Sequence, residues 1–296
     1  MADKAAVLKE IPQARQRFSM NSLAAVWLGL LLVLAFYHTV RSMAGSWFDE
    51  PSNMEQGVFV PFTAAYMIWC SQDQLRRIVR APSRLGVVLV LVSALVSLVS
   101  VVSQWIWLSR MAFLFAVIGC VWALYGFRMV RSLAYPLCTL LLMIQPPSFV
   151  NERITLQLQL LASRLGEMSL EVLGFSVLRE GNVLEMVGEK LAVAEACSGI
   201  RSLMALIFLA VVYNYFFVPQ KRMRWILLAS VVPIAILCNA GRILATGIVG
   251  QYNRELAHGM LHATFGYFGL ALGAALLLLW HQILQRWRLA GGKKRA

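Results

Sequence analysis

The chain has 296 residues, of which 59% are hydrophobic and only 14% charged, and its mean hydropathy is +0.69. Soluble globular domains are nearer about 45–50% apolar and about 25% charged. One soluble core could not bury this much apolar surface, so a cytosolic enzyme is excluded, as are a disordered chain, a collagen-like repeat and a disulfide-stapled mini-protein. Apolar runs near the ~20 residues that a spanning helix needs predict an all-α polytopic membrane protein.

The apolar pattern predicts about eight membrane spans. In chain order they cover residues 23–40, 58–71, 85–103, 111–127, 133–145, 197–218, 225–247 and 258–283. The second and fifth are short for a ~30 Å hydrocarbon core. The first resembles a secretory signal, but no small-residue cleavage site follows it, so a retained anchor is predicted. Arg110 and the aromatic residues of 104–107 predict a tight hairpin between the third and fourth spans.

The charges divide unequally between the two sides of the membrane. With the N-terminus in the cytoplasm, the predicted cytoplasmic segments hold 18 Lys and Arg residues against 3 acidic ones, and the opposite side holds 9 against 11. This asymmetry follows the positive-inside rule and predicts that both termini are cytoplasmic. The basic excess therefore indicates topology and attraction to the lipid bilayer, and no nucleic-acid partner is predicted because no recognisable binding fold accompanies it.

Residues 146–196 form an extracytoplasmic segment of about fifty residues in a chain whose other connections are short. Pro146 and Pro147 end the fifth span, and Asn151 stands where an N-cap belongs. Apolar residues at intervals of three and four predict an amphipathic helix that ends at Gly174 and lies on the membrane surface or caps the bundle. The stripe consists of Ile154, Leu158, Leu161, Leu165, Met168 and Val172. Strands at 175–179 and 183–187 should form a β-hairpin, and 191–194 is a candidate third strand.

Cys197 is the cysteine that the predicted topology places at the outer surface. The other four lie in predicted spans: Cys70, Cys120, Cys138 and Cys238. Without an outer partner for a disulfide, Cys197 is either inert or a reactive thiol. A helix N-terminus and Arg201, one turn further on, would stabilise the thiolate, and the small neighbours Ser198 and Gly199 would leave the sulfur accessible. A buried cysteine at a helix start explains the local sequence equally well.

Arg242 lies in the seventh span, roughly 7 Å from its outer end at 1.5 Å per residue. An intramembrane arginine is costly and typically faces the bundle interior, although snorkelling to the headgroups is also possible at this depth. Asn239, one turn deeper, shares its helix face and could hold the guanidinium.

His262 lies about one turn into the eighth span, at the same depth as Cys197 and Arg242. His258, four residues earlier, would complete a zinc-binding pair, but no third ligand has suitable spacing, so neither a metal nor another cofactor is predicted. A nucleophile, a cation and a base in one layer near the outer face are the groups that thiol acyl transfer needs.

Three ordered motifs resemble the exosortase/archaeosortase family. They are Ala-Glu-Ala-Cys-Ser-Gly-Ile-Arg-Ser at 194–202, Asn-Ala-Gly-Arg at 239–242 and His-Ala-Thr-Phe-Gly at 262–266. The resemblance extends from about residue 146 to 270 and is weaker before it, where only 57–61 and the membrane pattern are similar. It implies a membrane cysteine peptidase or transpeptidase in which Cys197 forms a thioester, His262 shuttles protons and Arg242 stabilises the oxyanion or the thiolate. Arg201, Asn239 and Ser198 would support them.

The resemblance also implies the substrate and the compartment. The partners would be membrane-anchored secreted proteins with a C-terminal sorting signal: a short Pro-containing motif, a transmembrane helix and a basic tail. The expected location is a bacterial inner membrane, with the site at the extracytoplasmic face and a link to exopolysaccharide and envelope biogenesis. His262 favours the bacterial branch of the family. Residues 1–296 are expected to form a single membrane domain, without the additional C-terminal domain of some relatives.

Two other classes of function remain open. A lipid or saccharide transporter would explain the spans and Arg242 but would give Cys197 no role. A non-catalytic subunit of an envelope-assembly complex would make the three residues incidental. A rhomboid-like serine protease that uses Ser198 is a further alternative. The sequence leaves the oligomeric state and the acceptor nucleophile open.

Overall fold

The computed structural model describes residues 26–48, 54–186, 189–192, 199–252 and 260–293, and these are mostly helical. The helices in chain order are α1 Val26–Ala35, α2 Tyr37–Phe48, α3 Phe59–Cys70, α4 Gln72–Leu75, α5 Arg84–Val102, α6 Ile106–Tyr125, α7 Phe127–Ser132, α8 Ala134–Thr139, α9 Ser148–Val172, α10 Ile200–Phe217, α11 Lys221–Tyr252 and α12 Met260–Lys293. Two 3-10 turns cover Glu55–Val58 and Leu140–Met143. The predicted fold class is therefore confirmed.

Among the described residues, five helices are long and apolar enough to cross a membrane: α5, α6, α10, α11 and α12. Together α1 and α2 also pass that test, but they are bent by 81° at Phe36. The first span predicted for 23–40 therefore corresponds to a bent pair of helices. The predicted second and fifth spans correspond to short helices, α3 and Ala134–Met143. The full number of eight spans stays a prediction.

The chain divides into two compact units, and the first comprises residues 1–45 and 65–144. Its main feature is the hairpin of α5 and α6, which confirms the predicted tight turn. The helices approach closely because small residues line their contact: a Cβ on Gly86 would lie 2.2 Å from the backbone nitrogen of Ala123. The fourth span begins at Ile106 and not at residue 111, so Arg110 lies inside α6 and is buried.

Replacing Gly86 by alanine should weaken this hairpin. The added methyl group would collide with the backbone of α6, so one helix must move away, and overpacking of this kind costs about 1–3 kcal/mol or more. Gly45 is a matched control in the same unit, since nothing lies within 4 Å of its Cβ position. Thermal unfolding in detergent should show a lower Tm for Gly86→Ala and an unchanged or higher Tm for Gly45→Ala. Equal Tm values would contradict the close approach.

The second unit comprises residues 46–64 and 145–296. Helices α10, α11 and α12 share an apolar core that includes Leu206, Leu227 and Leu277. Between α9 and α10 lies an antiparallel sheet in the order β1 Val177–Glu180, β2 Val183–Met186, β3 Glu189–Ala192. The predicted hairpin and the candidate third strand are thus both present. An ion pair of 2.7 Å between Arg179 Nε and Glu167 Oε2 joins the sheet to α9.

The predicted N-terminus of α9 is wrong. The helix begins at Ser148, with Pro147 in the N-cap position, and the amide of Asn151 already donates to the carbonyl of Pro147 at 2.9 Å. Asn151 is therefore inside the first turn. The predicted end is confirmed, because Gly174 follows the helix with a φ of +88°, the left-handed conformation that glycine adopts readily.

The face of α9 that packs against the protein is not the predicted apolar stripe. Its buried residues are mostly small or polar: Gln159, Ala162, Ser163, Gly166 and Leu170. The predicted apolar stripe is half-buried or exposed, up to 86% exposed at Val172. Small residues let α9 approach α11 closely, since a Cβ on Gly166 would lie 2.7 Å from Ile243 Cγ2. Leu158 of the stripe packs against the core of α10, α11 and α12, while most of the other stripe residues are exposed, as expected for a helix on the membrane surface. Close helix packing in membranes uses small side chains and leaves large apolar ones to the lipid.

Candidate active site

The segment that carries Cys197 ends at the start of α10. Cys197 and Ser198 lie outside the described residues, and Gly199 is the first residue described after them. Gly199 is the N-cap of α10 with a φ of +67°, and its carbonyl accepts hydrogen bonds from the Leu203 amide and the Ser202 hydroxyl. Its left-handed backbone turns the chain sharply into the helix. In the sequence, Cys197 stands three residues before the first residue of α10.

Gly199 packs directly against Asn239 of α11. A Cβ on Gly199 would lie 3.0 Å from Asn239 Nδ2, and Asn239 itself is buried. The gap left between α9, α10 and α11 at this point has a volume of about 10 Å³, at the lower limit for one water molecule. The end of the cysteine motif and the beginning of the Asn-Ala-Gly-Arg motif are therefore in tight contact.

Arg242, one turn after Asn239, contacts the next helix. Its side chain is half-buried, and its Nη1 atom lies 3.5 Å from the position of a Cβ on Gly266 in α12. Gly266 is the last residue of the third motif, and the absence of a side chain there leaves room for the guanidinium. The backbone of His262 lies in the first turn of α12, one turn before Gly266, while its side chain and His258 lie outside the description.

Arg201 has a partner that the sequence did not reveal. Its Nη1 lies 3.3 Å from Oε1 of Glu55 in the 3-10 turn Glu55–Val58, and both side chains are about half exposed. Arg201 was expected to act as a positive charge beside Cys197. Because a carboxylate compensates that charge, the thiolate would gain less stabilisation from Arg201 than predicted.

The 3-10 turn packs against Trp47 of α2. A Cβ on Gly57 would lie 2.4 Å from Cδ1 of Trp47, so the turn fits against the indole only with glycine. The weak similarity of residues 57–61 was a signal that this turn matters, but nothing in the sequence linked Glu55 to a residue 146 positions later.

The contacts therefore bring together parts of all three motifs: Gly199 with Asn239, and Arg242 with Gly266. A profile of transmembrane exosortases matches residues 47–279, a stretch that contains all three motifs. No curated protein and no solved structure matches the chain. Because the matched stretch covers well over half of the sequence, the chain belongs to the transmembrane exosortase family.

Proposed function

We propose that this protein is a membrane-embedded cysteine peptidase or transpeptidase that cleaves the C-terminal sorting signal of secreted proteins through a thioester on Cys197. The observation that carries the proposal is the family match over residues 47–279, which includes Cys197, Arg242 and His262. The contacts of Gly199 with Asn239 and of Arg242 with Gly266 support it, because they join α10, which follows Cys197 in the chain, to α11 and α12, which carry Arg242 and His262.

In the proposed reaction the Cys197 thiolate attacks the scissile carbonyl carbon, and the electron pair of the C=O bond moves to oxygen. The Arg242 guanidinium, a planar fork of donors, stabilises that oxyanion. The C–N bond breaks as His262 protonates the leaving amine, which leaves a thioester on Cys197. Water or an acceptor nucleophile then attacks the thioester, His262 accepts its proton, and the thiolate leaves. Asn239 positions Gly199, and Ser198 and Arg201 flank the nucleophile.

The substrate chemistry follows from the membrane setting. A signal made of a Pro-containing motif, an apolar helix and a basic tail would place its motif outside, its helix in the lipid and its tail in the cytoplasm. The proposed location is a bacterial inner membrane, with both termini cytoplasmic and the site at the extracytoplasmic face. We further propose a role in exopolysaccharide and envelope biogenesis.

This topology gives a direct expectation for reporter fusions. Fusions after residues 50, 180 and 253 should be active as extracytoplasmic reporters, and fusions after 80, 222 and 290 as cytoplasmic ones, because the basic residues concentrate in the latter segments. Alkaline phosphatase fusions measure the extracytoplasmic location of each position, and green fluorescent protein fusions measure the cytoplasmic location. A cytoplasmic signal at residue 180 would place Cys197 on the wrong side and end the proposal of an outer site.

Replacing Gly199 by alanine should lower processing. The left-handed backbone costs roughly 1–2 kcal/mol for a residue with a Cβ, and here the new methyl group would also displace the Asn239 amide. A shift of the site by ~1 Å can lower a rate by about 10²-fold. Gly174→Ala is the matched control: its φ of +88° imposes the same backbone strain, but nothing lies within 4 Å of its Cβ position. Equal loss of processing in both variants would show that backbone strain alone lowers processing and that the contact between Gly199 and Asn239 has no part in it.

The function itself is tested with a secreted reporter that ends in the proposed signal and is co-produced with the full-length protein. We expect the wild type to remove the signal, and Cys197→Ala, produced at the same level, to leave it intact. A second reporter lacks the Pro-containing motif but keeps the helix and the tail, and it should not be cut. Equal cleavage with wild type and Cys197→Ala would contradict the proposal and favour a transporter or an assembly subunit.

A further inference from the structure

A cavity of about 280 Å³ lies in the first unit, which contains none of the three motifs. It is enclosed by α2, by the end of α5 and by the beginning of α6. Its polar lining residues are His38, Thr39, Ser42, Ser100, Gln104 and Ser109. These are hydroxyl, amide and imidazole groups, and no Asp or Glu lines the cavity among the described residues. The lining therefore offers hydrogen-bond donors without a negative charge.

Arg110 does not line the cavity itself but is hydrogen-bonded to Ser42, which does. Although α6 is long enough to span a membrane, the arginine is only 6% exposed. Its Nη2 donates to the carbonyl and to Oγ of Ser42, both at 3.2 Å, and Ser42 is part of the cavity wall. Its Nε is buried without a hydrogen-bond partner, and no ion pair joins Arg110 to a carboxylate within the described ranges. A buried cation without a counter-charge is costly, so an intramembrane arginine of this kind indicates a binding site.

The hydroxyl groups fix the walls of the cavity. Thr39 Oγ1 and Ser109 Oγ are hydrogen-bonded at 2.5 Å, and Ser109 Oγ lies 3.0 Å from Ser97 Oγ. This buried chain of hydroxyls ties α2 to both helices of the hairpin. Arg110 is held separately, by its two hydrogen bonds to Ser42 of the cavity wall. The walls are therefore fixed before any ligand enters, and a bound anion would supply the negative charge that none of the described residues gives Arg110.

The mouth of the cavity suits an amphiphile. Val101 and Ile106, which also line it, are exposed at the ends of two spanning helices. Trp105, in the turn between them, is exposed as well, and aromatic residues of this kind lie at the level of lipid headgroups. An acyl chain could lie along the hairpin while a charged headgroup enters the polar part of the cavity.

We propose that this cavity binds a phosphate group, supplied by the headgroup of an anionic phospholipid, with Arg110 as its counter-charge. The donors of Ser42 and Gln104 in the cavity wall complement phosphate oxygens, and Arg110, hydrogen-bonded to Ser42, supplies the positive charge next to them. Free inorganic phosphate carries the same chemistry, so the test distinguishes the two sources. The site is independent of the proposed peptidase reaction, and its test needs no substrate.

The test is native mass spectrometry of the full-length protein in detergent, titrated separately with phosphatidylglycerol, phosphatidylcholine and inorganic phosphate. The wild type should retain one phosphatidylglycerol, and Arg110→Gln should weaken its binding by about 10-fold or more, because the positive charge beside Ser42 is lost. Arg128→Gln, an exposed arginine on α7, is the control and should bind like the wild type. Ser42→Ala removes one lining hydroxyl without removing the charge, and it should weaken binding even if Arg110→Gln does not fold.

Three other results would contradict the proposed lipid site. Phosphatidylglycerol binding that is equal in wild type, Arg110→Gln and Ser42→Ala would overturn the proposal. Full competition by millimolar inorganic phosphate would assign the site to free phosphate in place of a lipid.

Asp49 and Glu50, the acidic residues nearest to Ser42 in sequence, lie outside the described residues. If Asp49→Asn or Glu50→Gln lowers the Tm only when Arg110 is present, a carboxylate of the chain itself balances the charge and the proposal is wrong.

Discussion

Cys197→Ser should nearly abolish removal of the sorting signal while the protein is still produced at the normal level. A serine hydroxyl is a far weaker nucleophile than a thiolate at neutral pH unless a strong base activates it. A helix N-terminus close to the sulfur would stabilise a thiolate, but it would do little for a hydroxyl that stays protonated. The measurement is the fraction of co-produced reporter that loses its signal, with enzyme levels followed by immunoblot.

The chain supplies its own controls for this substitution. Cys70 and Cys138 are free and exposed, and serine at either position should leave processing unchanged. Ser198→Ala separates the thiol mechanism from a serine mechanism. If Ser198→Ala abolished processing and Cys197→Ser did not, the protein would be a serine protease, and the thioester would be excluded.

Arg242→Lys should lower the cleavage rate by on the order of 10²-fold or more, comparable to the loss of an oxyanion-hole donor. Lysine keeps the positive charge but lacks the planar fork that can donate two hydrogen bonds to one oxyanion. The measurement is the initial rate of reporter cleavage in membranes that contain equal amounts of each variant. Full activity of Arg242→Lys would remove the oxyanion role and leave Arg242 as a charge beside the thiolate.

Gly266 provides a structural control for the position of that guanidinium. A Cβ there would lie 3.5 Å from Arg242 Nη1, an ordinary van der Waals distance, so Gly266→Ala should keep most of the activity. Gly266→Leu would fill the space that the guanidinium occupies and should approach the defect of Arg242→Lys. Normal activity of Gly266→Leu would show that catalysis does not need the arginine where α12 now holds it.

Local signals predicted much of the fold. The α5–α6 hairpin was predicted from Arg110 and the aromatic residues of 104–107, and the strands on either side of Gly181 were predicted from a turn signal. Gly174 marked the end of α9 because a left-handed residue suits the end of a helix. These features depend on neighbouring residues, so the sequence contains what is needed to predict them.

The orientation of α9 could not be predicted in this way. A regular apolar stripe indicates the buried face of a helix in a soluble protein, but in a membrane the lipid is as apolar as leucine. The face that packs on α11 is instead the one with small residues, including Ala162 and Gly166. Which face of α9 packs on α11 depends on whether lipid or protein surrounds the helix, and the spacing of apolar residues gives no information about that.

The candidate site, too, could be predicted only in part from the sequence. Depth in the membrane and motif order were enough to select Cys197, Arg242 and His262 as candidates. The pairing of Arg201 with Glu55 and the approach of Arg242 to Gly266 are contacts between distant parts of the chain. Arg110 was predicted only to interrupt a span, because its burial depends on the way α2 meets the hairpin.

Trapping of the covalent intermediate tests the thioester most directly. The full-length protein is mixed with a substrate that carries the proposed signal, quenched in acid within seconds, digested and mapped by mass spectrometry. We expect the peptide that contains Cys197 to carry the substrate fragment on the N-terminal side of the cleaved bond, and hydroxylamine to release that fragment, as it does for thioesters. Cleaved product without any adduct on Cys197 in wild type and in a slowed His262→Ala variant, or an adduct on Ser198 instead, would contradict the proposed mechanism.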